Sequence, residues 1–178
     1  MTAWEFNIDS YIGHVTLPHV CTIRQKFNDA HITDLDAHLL PQYRAQLDGV
    51  ELEGKRVAIT VGSRGINGLL ECIRSLVAVL KEKGAYPFLF PAMGSHAGAT
   101  AQGQEDYIVS LGITPEAVGA PIISDMNTVL IDNLDDGTPI YIDSVAHKAD
   151  GIIVINKIKP HANFKGDIES GLCKMLVI

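Results

Sequence analysis

The sequence predicts an α/β fold with an open, mainly parallel sheet and helices on both faces. Two short apolar runs, RVAITV at Arg56–Val61 and GIIVIN at Gly151–Asn156, are typical of strands buried on both sides. After the first run, apolar residues recur at helical spacing from Ile66 to Leu80, and Gly84 ends the pattern. Strands that alternate with helices in this way indicate a parallel, Rossmann-like sheet.

The segments between these landmarks continue the alternation. Thr114 has the position of an N-cap, because Pro115 and Glu116 follow it as a first-turn proline and a first-turn acid. The other predicted elements are a strand at Pro87–Pro91, a loop at Ala92–Gly103, a helix at Gln104–Leu111, strands at Pro121–Ser124 and Thr128–Asp132, a turn at Asn133–Gly137, a hairpin partner at Thr138–Asp143 and a short helix at Ser144–Ala149.

Residues 1–55 are predicted to form a small segment of strand and helix packed on an α/β domain at 56–178. Within that segment, His14–Phe27 favours an edge strand or hairpin broken by Pro18, and Leu40–Leu47 favours a helix that begins at Pro41. The chain ends in the apolar run Lys174–Ile178, so we expect it to be a fragment, or one domain, of a longer protein.

Composition excludes several classes of protein. Lys and Arg number 14 against 21 Asp and Glu, a net charge of −7, which disfavours binding to nucleic acid. No apolar run approaches the ~20 residues that cross a bilayer, and the first ten residues lack a basic signal-peptide region. The three cysteines are widely spaced and are expected to be reduced thiols of a cytoplasmic protein: Cys21, Cys72 and Cys173.

Three predicted loops follow strands, at residues 62–65, 92–103 and 157–171, and they carry the candidate functional residues. Arg64 lies between glycines, where a guanidinium suits a carboxylate, with Ser63 beside it. His96 lies among small residues in MGSHAG and suits proton transfer near neutral pH. His161 follows Lys159, and neighbouring lysines favour the neutral, basic form of an imidazole.

Lys174 is the fourth candidate, because a partly buried lysine loses its proton easily enough to act as a nucleophile. Each candidate also has a structural interpretation: Arg64 as an exposed turn residue, His96 as a helix cap, the region of His161 as a basic surface loop, and Lys174 as a lysine on an amphipathic helix. Their joint placement after strands favours one anion site with acid/base capacity.

The order of these motifs resembles the nickel-pincer-dependent lactate racemase family, from about Arg56 to Ile178. The resemblance implies an isomerase, the N-terminal domain of a 2-hydroxy acid racemase or epimerase, with a second, C-terminal α/β domain expected beyond this chain and the active site between the two. It also implies a nickel-pincer nucleotide, a pyridinium thioamide/thiocarboxylate mononucleotide carrying nickel, held covalently by Lys174. His96 and His161 match the two acid/base histidines, and Arg64 matches the arginine that binds substrate. The family's nickel-ligating histidine lies beyond the tethering lysine.

The resemblance has departures that bear on the substrate. Val61 stands where the family loop has an acidic residue, and the spacing from His161 to Lys174 is longer than in the lactate enzyme. The cationic segment Lys157–Pro160 favours a larger or more acidic hydroxy acid than lactate. Two alternatives stay open: a non-catalytic α/β domain that binds a carboxylate or phosphate, and a family member that has lost the cofactor.

Overall fold

A computed structural model describes residue 13 and residues 18–63, 65–157 and 165–167. The chain divides into two compact units, Met1–His31 and Ile32–Ile178. In the first unit, residues 18–31 contain no strand or helix, so the predicted strand over His14–Phe27 is wrong for residues 18–27. A strand needs a partner for its backbone N–H and C=O groups, and residues 18–27 pair with no strand in the described part of the chain. Residues 14–17 lie outside the described part.

The second unit is a mixed α/β structure built on a parallel sheet. Its described strands are β1 (Arg56–Val61), β2 (Tyr86–Pro91) and β5 (Gly151–Ile153), in the order β2-β1-β5. Arg56 pairs with Tyr86 at one end of β1 and Val61 with Pro91 at the other, while Val57 pairs with Gly151 on the opposite side. The predicted parallel sheet is therefore confirmed at this level.

Alternate residues of β1 and β2 enter two separate cores, because neighbouring side chains on a strand point to opposite faces. One face of β1 packs against α2 (Leu69–Glu82), α3 (Ala101–Ser110) and α4 (Pro115–Val118). The other face contributes Ala58, which packs with Phe88, Phe90 and the short helix α5 (Ser144–His147). Helices therefore cover both faces, and both strands are buried over five of their six residues.

Helix α2 has the apolar periodicity that the sequence predicts, with buried Ile73, Leu76 and Leu80 facing the sheet. It begins after Gly68, whose φ of 75° lies in the left-handed region, and an added Cβ there would collide with the side chain of Leu35. Glycine is therefore favoured by the left-handed turn, whereas the end of the flexible Leu35 side chain could move aside.

The helix that precedes α2 is α1 (Leu35–Gln46). The prediction that a helix begins at Pro41 is therefore wrong. The helix starts one and a half turns earlier, because the Asp34 side chain caps it by accepting a hydrogen bond from the N–H of Ala37. Pro41 lies inside the helix on its exposed side, where the carbonyl that loses its partner belongs to exposed Ala37. The carboxylate of Asp36 binds Arg74 at 2.6 Å and ties α1 to α2.

Beyond α4, the chain makes the predicted hairpin from β3 (Thr128–Asn133) and β4 (Pro139–Asp143), antiparallel with an irregularity near Ile131. Thr114 caps α4 through the N–H of Ala117, as predicted. The predicted strand Pro121–Ser124 is reduced to a single parallel bridge between Ile122 and Leu89.

Two cysteines lie in the described residues, and neither forms a disulfide. Cys21 is exposed, whereas burial raises the pKa of the Cys72 thiol between α1 and α2. Cys173 lies outside the described part of the chain. Within that part, no helix is both long and apolar enough to cross a membrane.

Candidate functional site

The carboxyl ends of β1 and β2 lie side by side, and the backbone leaves the sheet there in two glycine-containing loops. Val61 pairs with Pro91 in the last register position, so Ser63 and His96 both follow the same edge. From β1 the chain builds β2 on one side and returns as β5 on the other, so the strand order reverses at β1. Ligands of open α/β sheets bind at such an edge, beside the reversal.

Ser63 and His96 are in direct contact at this edge. The hydroxyl of Ser63 and the Nδ1 atom of the His96 ring form a hydrogen bond, although 33 residues separate them in sequence. The ring is exposed, and Ser63 is half-buried. Among the residues that the structure describes, no group pairs with Nε2 of His96.

Helix α3 braces both loops from one side. The hydroxyl of Tyr107 donates to the carbonyl oxygen of Ser63 at 2.8 Å. One turn earlier, the amide of Gln104 donates to the carbonyl of Gly94 at 2.8 Å and reaches that of His96 at 3.5 Å. Positions three apart lie on the same side of a helix, so one face of α3 holds the two loops that carry Ser63 and His96.

The close approach of α3 depends on Gly103, where an added Cβ would collide with the backbone carbonyl of Ala97. The loop itself is unusual, because Ala97 and Ala99 both have φ of 53° in the left-handed region. Alanine adopts this conformation at a cost of about 1 kcal/mol, and such residues cluster at ligand-binding and catalytic sites.

The segment after β5 reaches the same edge. The side chain of Thr60 bonds the N–H of Ile155 at 3.0 Å, which keeps the chain beside β1 after the last ladder pair. Two residues later, the ammonium of Lys157 donates to the carbonyl of Gly65 at 3.2 Å. The structure therefore joins the hydroxyl of Ser63 to the imidazole of His96, and it brings the ammonium of Lys157 to Gly65, two residues beyond Ser63.

Beside this edge, a cleft of about 260 Å³ separates the end of β2 from the hairpin. Its walls include Gly94, Gln104, Asp125 and Tyr141. The pKa of Asp125 is lowered to about 2, because the side chain and N–H of Asn127 and the hydroxyl of Ser144 bond to its carboxylate. Asp125 is thus ionised and held by its own loop, so we assign it a structural role.

Four of the predicted site residues, Arg64, Lys159, His161 and Lys174, lie outside the described residues, and their roles stay predictions. Ser63 was predicted to bind substrate, and the structure places its hydroxyl on His96 instead of leaving it free. In the described part, no three His, Cys, Asp or Glu side chains converge on a point that could hold a metal.

Gln104 and Tyr107 were not foreseen from the sequence. Gln104 is only 4% exposed, and a polar side chain on the core side of a short helix must find buried partners. The need of a buried glutamine for polar partners could have indicated its role, because Gln104 follows His96 by only eight residues. Comparisons with protein-family models, curated proteins and solved structures found no match for this chain.

Proposed function

We propose that this chain is the N-terminal, cofactor-tethering domain of a 2-hydroxy acid racemase or epimerase with a Rossmann-like sheet. The observation that supports it best is the Ser63–His96 pair at the carboxyl edge of the parallel sheet. A histidine held through Nδ1 presents its other nitrogen for proton transfer, and this arrangement recurs in general acid/base sites. The order of motifs that resembles the nickel-pincer family supplies the reaction class.

Each residue of the chain has a defined task in this proposal. Nε2 of His96 takes the hydroxyl proton of one enantiomer, and His161 does so for the other. Arg64, with Lys159, binds the substrate carboxylate, since a guanidinium matches the two carboxylate oxygens. Loss of the hydroxyl proton and of hydride from the α-carbon gives a planar keto acid, and hydride returned to the opposite face gives the other enantiomer.

The proposed cofactor would be held by a covalent bond to Lys174. When bound, such a group would supply a hydride acceptor, which histidines cannot provide, because acid/base catalysis contributes only about 10²–10⁴-fold. The described edge suits such a group in one respect. Among the described residues, nothing lies within 4 Å of a Cβ built at Gly65 or Gly98, so the backbone is accessible there, as it is at exposed glycines elsewhere such as Gly49 and Gly137.

The charge of the site favours an anionic substrate larger than lactate. Lys157 lies at the edge with its ammonium on the carbonyl of Gly65, and Lys159 follows two residues later in sequence. Two lysines and Arg64 exceed what a single carboxylate requires. A dicarboxylic hydroxy acid or a sugar acid fits this number of cations.

A second function, binding of a carboxylate or phosphate without catalysis, uses the same cations. It gives no task to His96, whose ring is anchored to Ser63 rather than left as a loop side chain. A family member without the cofactor would keep the fold and lose the reaction. Both alternatives predict no turnover of any hydroxy acid. The expected cytoplasmic location belongs to the proposal as well.

Isotope labelling of the α-carbon tests the reaction class. The full-length protein is incubated in ordinary water with 2-deuterated hydroxy acids, from lactate to dicarboxylic and sugar acids. Hydride transfer predicts that one of them racemises or epimerises with its deuterium retained. Exchange of the deuterium with water would indicate proton abstraction at carbon, and inversion of none of these acids would favour the binding domain.

A further inference from the structure

We propose that Ser63 is a positioning residue, held by Tyr107, that fixes the ring of His96 so that Nε2 faces the substrate. The inference rests on the proposed function for its kinetic consequence, but its structural content stands on the described contacts alone. It changes the role predicted for Ser63 from the sequence, where the hydroxyl was expected to bind substrate.

The first argument is geometric. His96 is exposed and lies in a loop of small residues, where packing against neighbours does little to hold an imidazole. The hydrogen bond from Ser63 is the described side-chain contact that anchors the ring. Misplacement of a catalytic group by about 1 Å costs on the order of 10²-fold in rate, so an anchor of this kind matters for catalysis.

The second argument is chemical. A hydroxyl both donates and accepts hydrogen bonds. When Nδ1 carries a proton, the ring donates to Oγ of Ser63, and when Nδ1 is bare, the hydroxyl donates to the ring. The contact therefore persists while Nε2 gains or loses its proton. A reversible reaction needs this property, because the same histidine serves as base in one direction and as acid in the other.

The third argument is the support of Ser63 itself. Its carbonyl accepts the hydroxyl of Tyr107 at 2.8 Å, and the same helix face holds the loop of His96 through Gln104. Ser63 thus has a fixed backbone and a side chain directed to one partner. A hydroxyl that is engaged by the imidazole has fewer hydrogen-bonding positions left to bind substrate.

NMR of the chain labelled with ¹⁵N and ¹³C at histidine tests the pairing without any need for activity. A His96→Gln variant identifies the ring resonances. In Ser63→Ala, we expect the Nδ1 resonance of His96 to shift and the ring order parameter to fall, and Ser63→Thr should restore both. Tyr107→Phe should lower the order parameter less, because the hydroxyl of Ser63 remains.

Matched controls separate these effects from general loosening. Ser95→Ala makes the same chemical change at the exposed neighbour of His96, and Tyr86→Phe removes a hydroxyl at the other end of β2. Neither should alter the His96 resonances beyond a small neighbour effect. If Ser63→Ala leaves Nδ1 and the order parameter of His96 as they are in the unaltered chain, the proposal is wrong.

Steady-state kinetics of the full-length protein provide a second test of the role of Ser63. Ser63→Ala should lower kcat by about tenfold with KM nearly unchanged, and Ser63→Thr should recover most of it. A raised KM with normal kcat in Ser63→Ala would indicate that Ser63 binds substrate, as first predicted from the sequence, and would overturn the proposal. Labelling of Ser63 by a fluorophosphonate would also overturn it, by showing a nucleophile. If no hydroxy acid reacts but the NMR changes occur, the proposed function fails while the positioning of His96 stands.

Discussion

The two ends of the parallel sheet use their polar groups differently. At the amino end, where β1 and β2 begin, the charged side chains are bound to the protein itself. At the carboxyl end, the described groups hold one another in place and leave Nε2 of His96 without a described partner. This difference is the basis for proposing the ligand site at the carboxyl end and a structural role for the charged groups of the amino end.

The amino end is joined by a reciprocal pair. The N–H of Arg56 donates to the carboxylate of Asp150 at 2.8 Å, and the N–H of Asp150 donates to the carbonyl of Arg56 at 2.8 Å. The guanidinium of Arg56 lies 5.2 Å from the centre of the Phe88 ring and donates to the carbonyl of Lys148. The ammonium of Lys81 donates to the carbonyl of Gly119. These cations are occupied in joining elements.

A groove of about 330 Å³ lies at this amino end, lined by Arg56, Lys81 and exposed Tyr86, and size alone would favour it as a binding site. The contacts of its cations argue against a binding site in this groove, because Arg56 and Lys81 are bound to groups of the protein itself. A cation that already serves a carbonyl or an aromatic ring, as Lys157 also does at the carboxyl end, must give up that contact to bind a ligand, whereas no described residue pairs with Nε2 of His96. The state of the polar groups therefore distinguishes the two ends better than their volume.

The largest expected effect concerns Lys174, which the resemblance makes the tether. In the full-length enzyme, Lys174→Ala should abolish racemisation, because the cofactor has no covalent attachment. Lys174→Arg should fail nearly as completely, since a guanidinium stays protonated and is no nucleophile. Chiral chromatography of the products measures the loss. Normal turnover in Lys174→Ala would contradict the assignment of this lysine.

The next effect distinguishes the two ends directly. His96→Ala should lower turnover by about 10²–10⁴-fold, the usual contribution of a positioned acid or base. The melting temperature should stay unchanged because the ring is exposed, and the covalent nucleotide should remain. A variant that loses stability and cofactor together would show instead that His96 is a structural residue.

At the amino end, Asp150→Ala should do the reverse, lowering stability and leaving kcat unchanged. The N–H of Arg56 and the ammonium of Lys55 hold the pKa of Asp150 below its ordinary value of 3.8. A lowered pKa in the folded state stabilises the fold above pH 3.8, and this contribution is lost as the pH falls below that value.

Urea denaturation from pH 7 to pH 3 therefore gives a concrete expectation for Asp150. The difference between the original chain and Asp150→Ala should be full at pH 7 and should narrow below pH 4. The N–H of Arg56 loses its partner in the variant at every pH, so part of the difference should remain. A difference that does not change with pH would mean that the charge of Asp150 contributes nothing.

The smallest effect is expected for Lys55→Ala. The Lys55 ammonium lies 3.6 Å from Asp150, and both side chains are about half exposed, at 48% and 44%. Exposed ion pairs are screened by water and salt and contribute little. The urea midpoint should therefore fall less than in Asp150→Ala, and 0.5 M salt should reduce the difference. An equal fall would place the stabilisation in the ion pair rather than in the bond to Arg56.

The core strands could be predicted from sequence because their signal is local. Each of β1 and β2 is a short apolar run, and the structure gives them the expected bounds within one residue. The prediction that a helix begins at Pro41 was wrong, and the reason is also local. The residues around Pro41 do not distinguish a proline at the first position of a helix from a proline inside an exposed helix. The helix begins at Leu35 because Asp34 caps it.

The contacts of the candidate site could be predicted only in part. The rule that ligands bind at the carboxyl ends of strands placed Ser63 and His96 at one edge. Their hydrogen bond could not be derived, because it depends on how two loops 33 residues apart fold over the sheet. The brace from Tyr107 depends in turn on the approach of α3, which Gly103 permits.

Intact mass spectrometry of the full-length protein, with nickel measured on the same sample, tests the central claim most directly. The account predicts added mass equal to one nickel-pincer nucleotide, about one nickel per chain, and a peptide map that places the modification on Lys174. The Lys174→Ala variant should have neither. An unmodified Lys174 in protein purified from cells that make the cofactor, with no bound nickel, would contradict the proposed racemase.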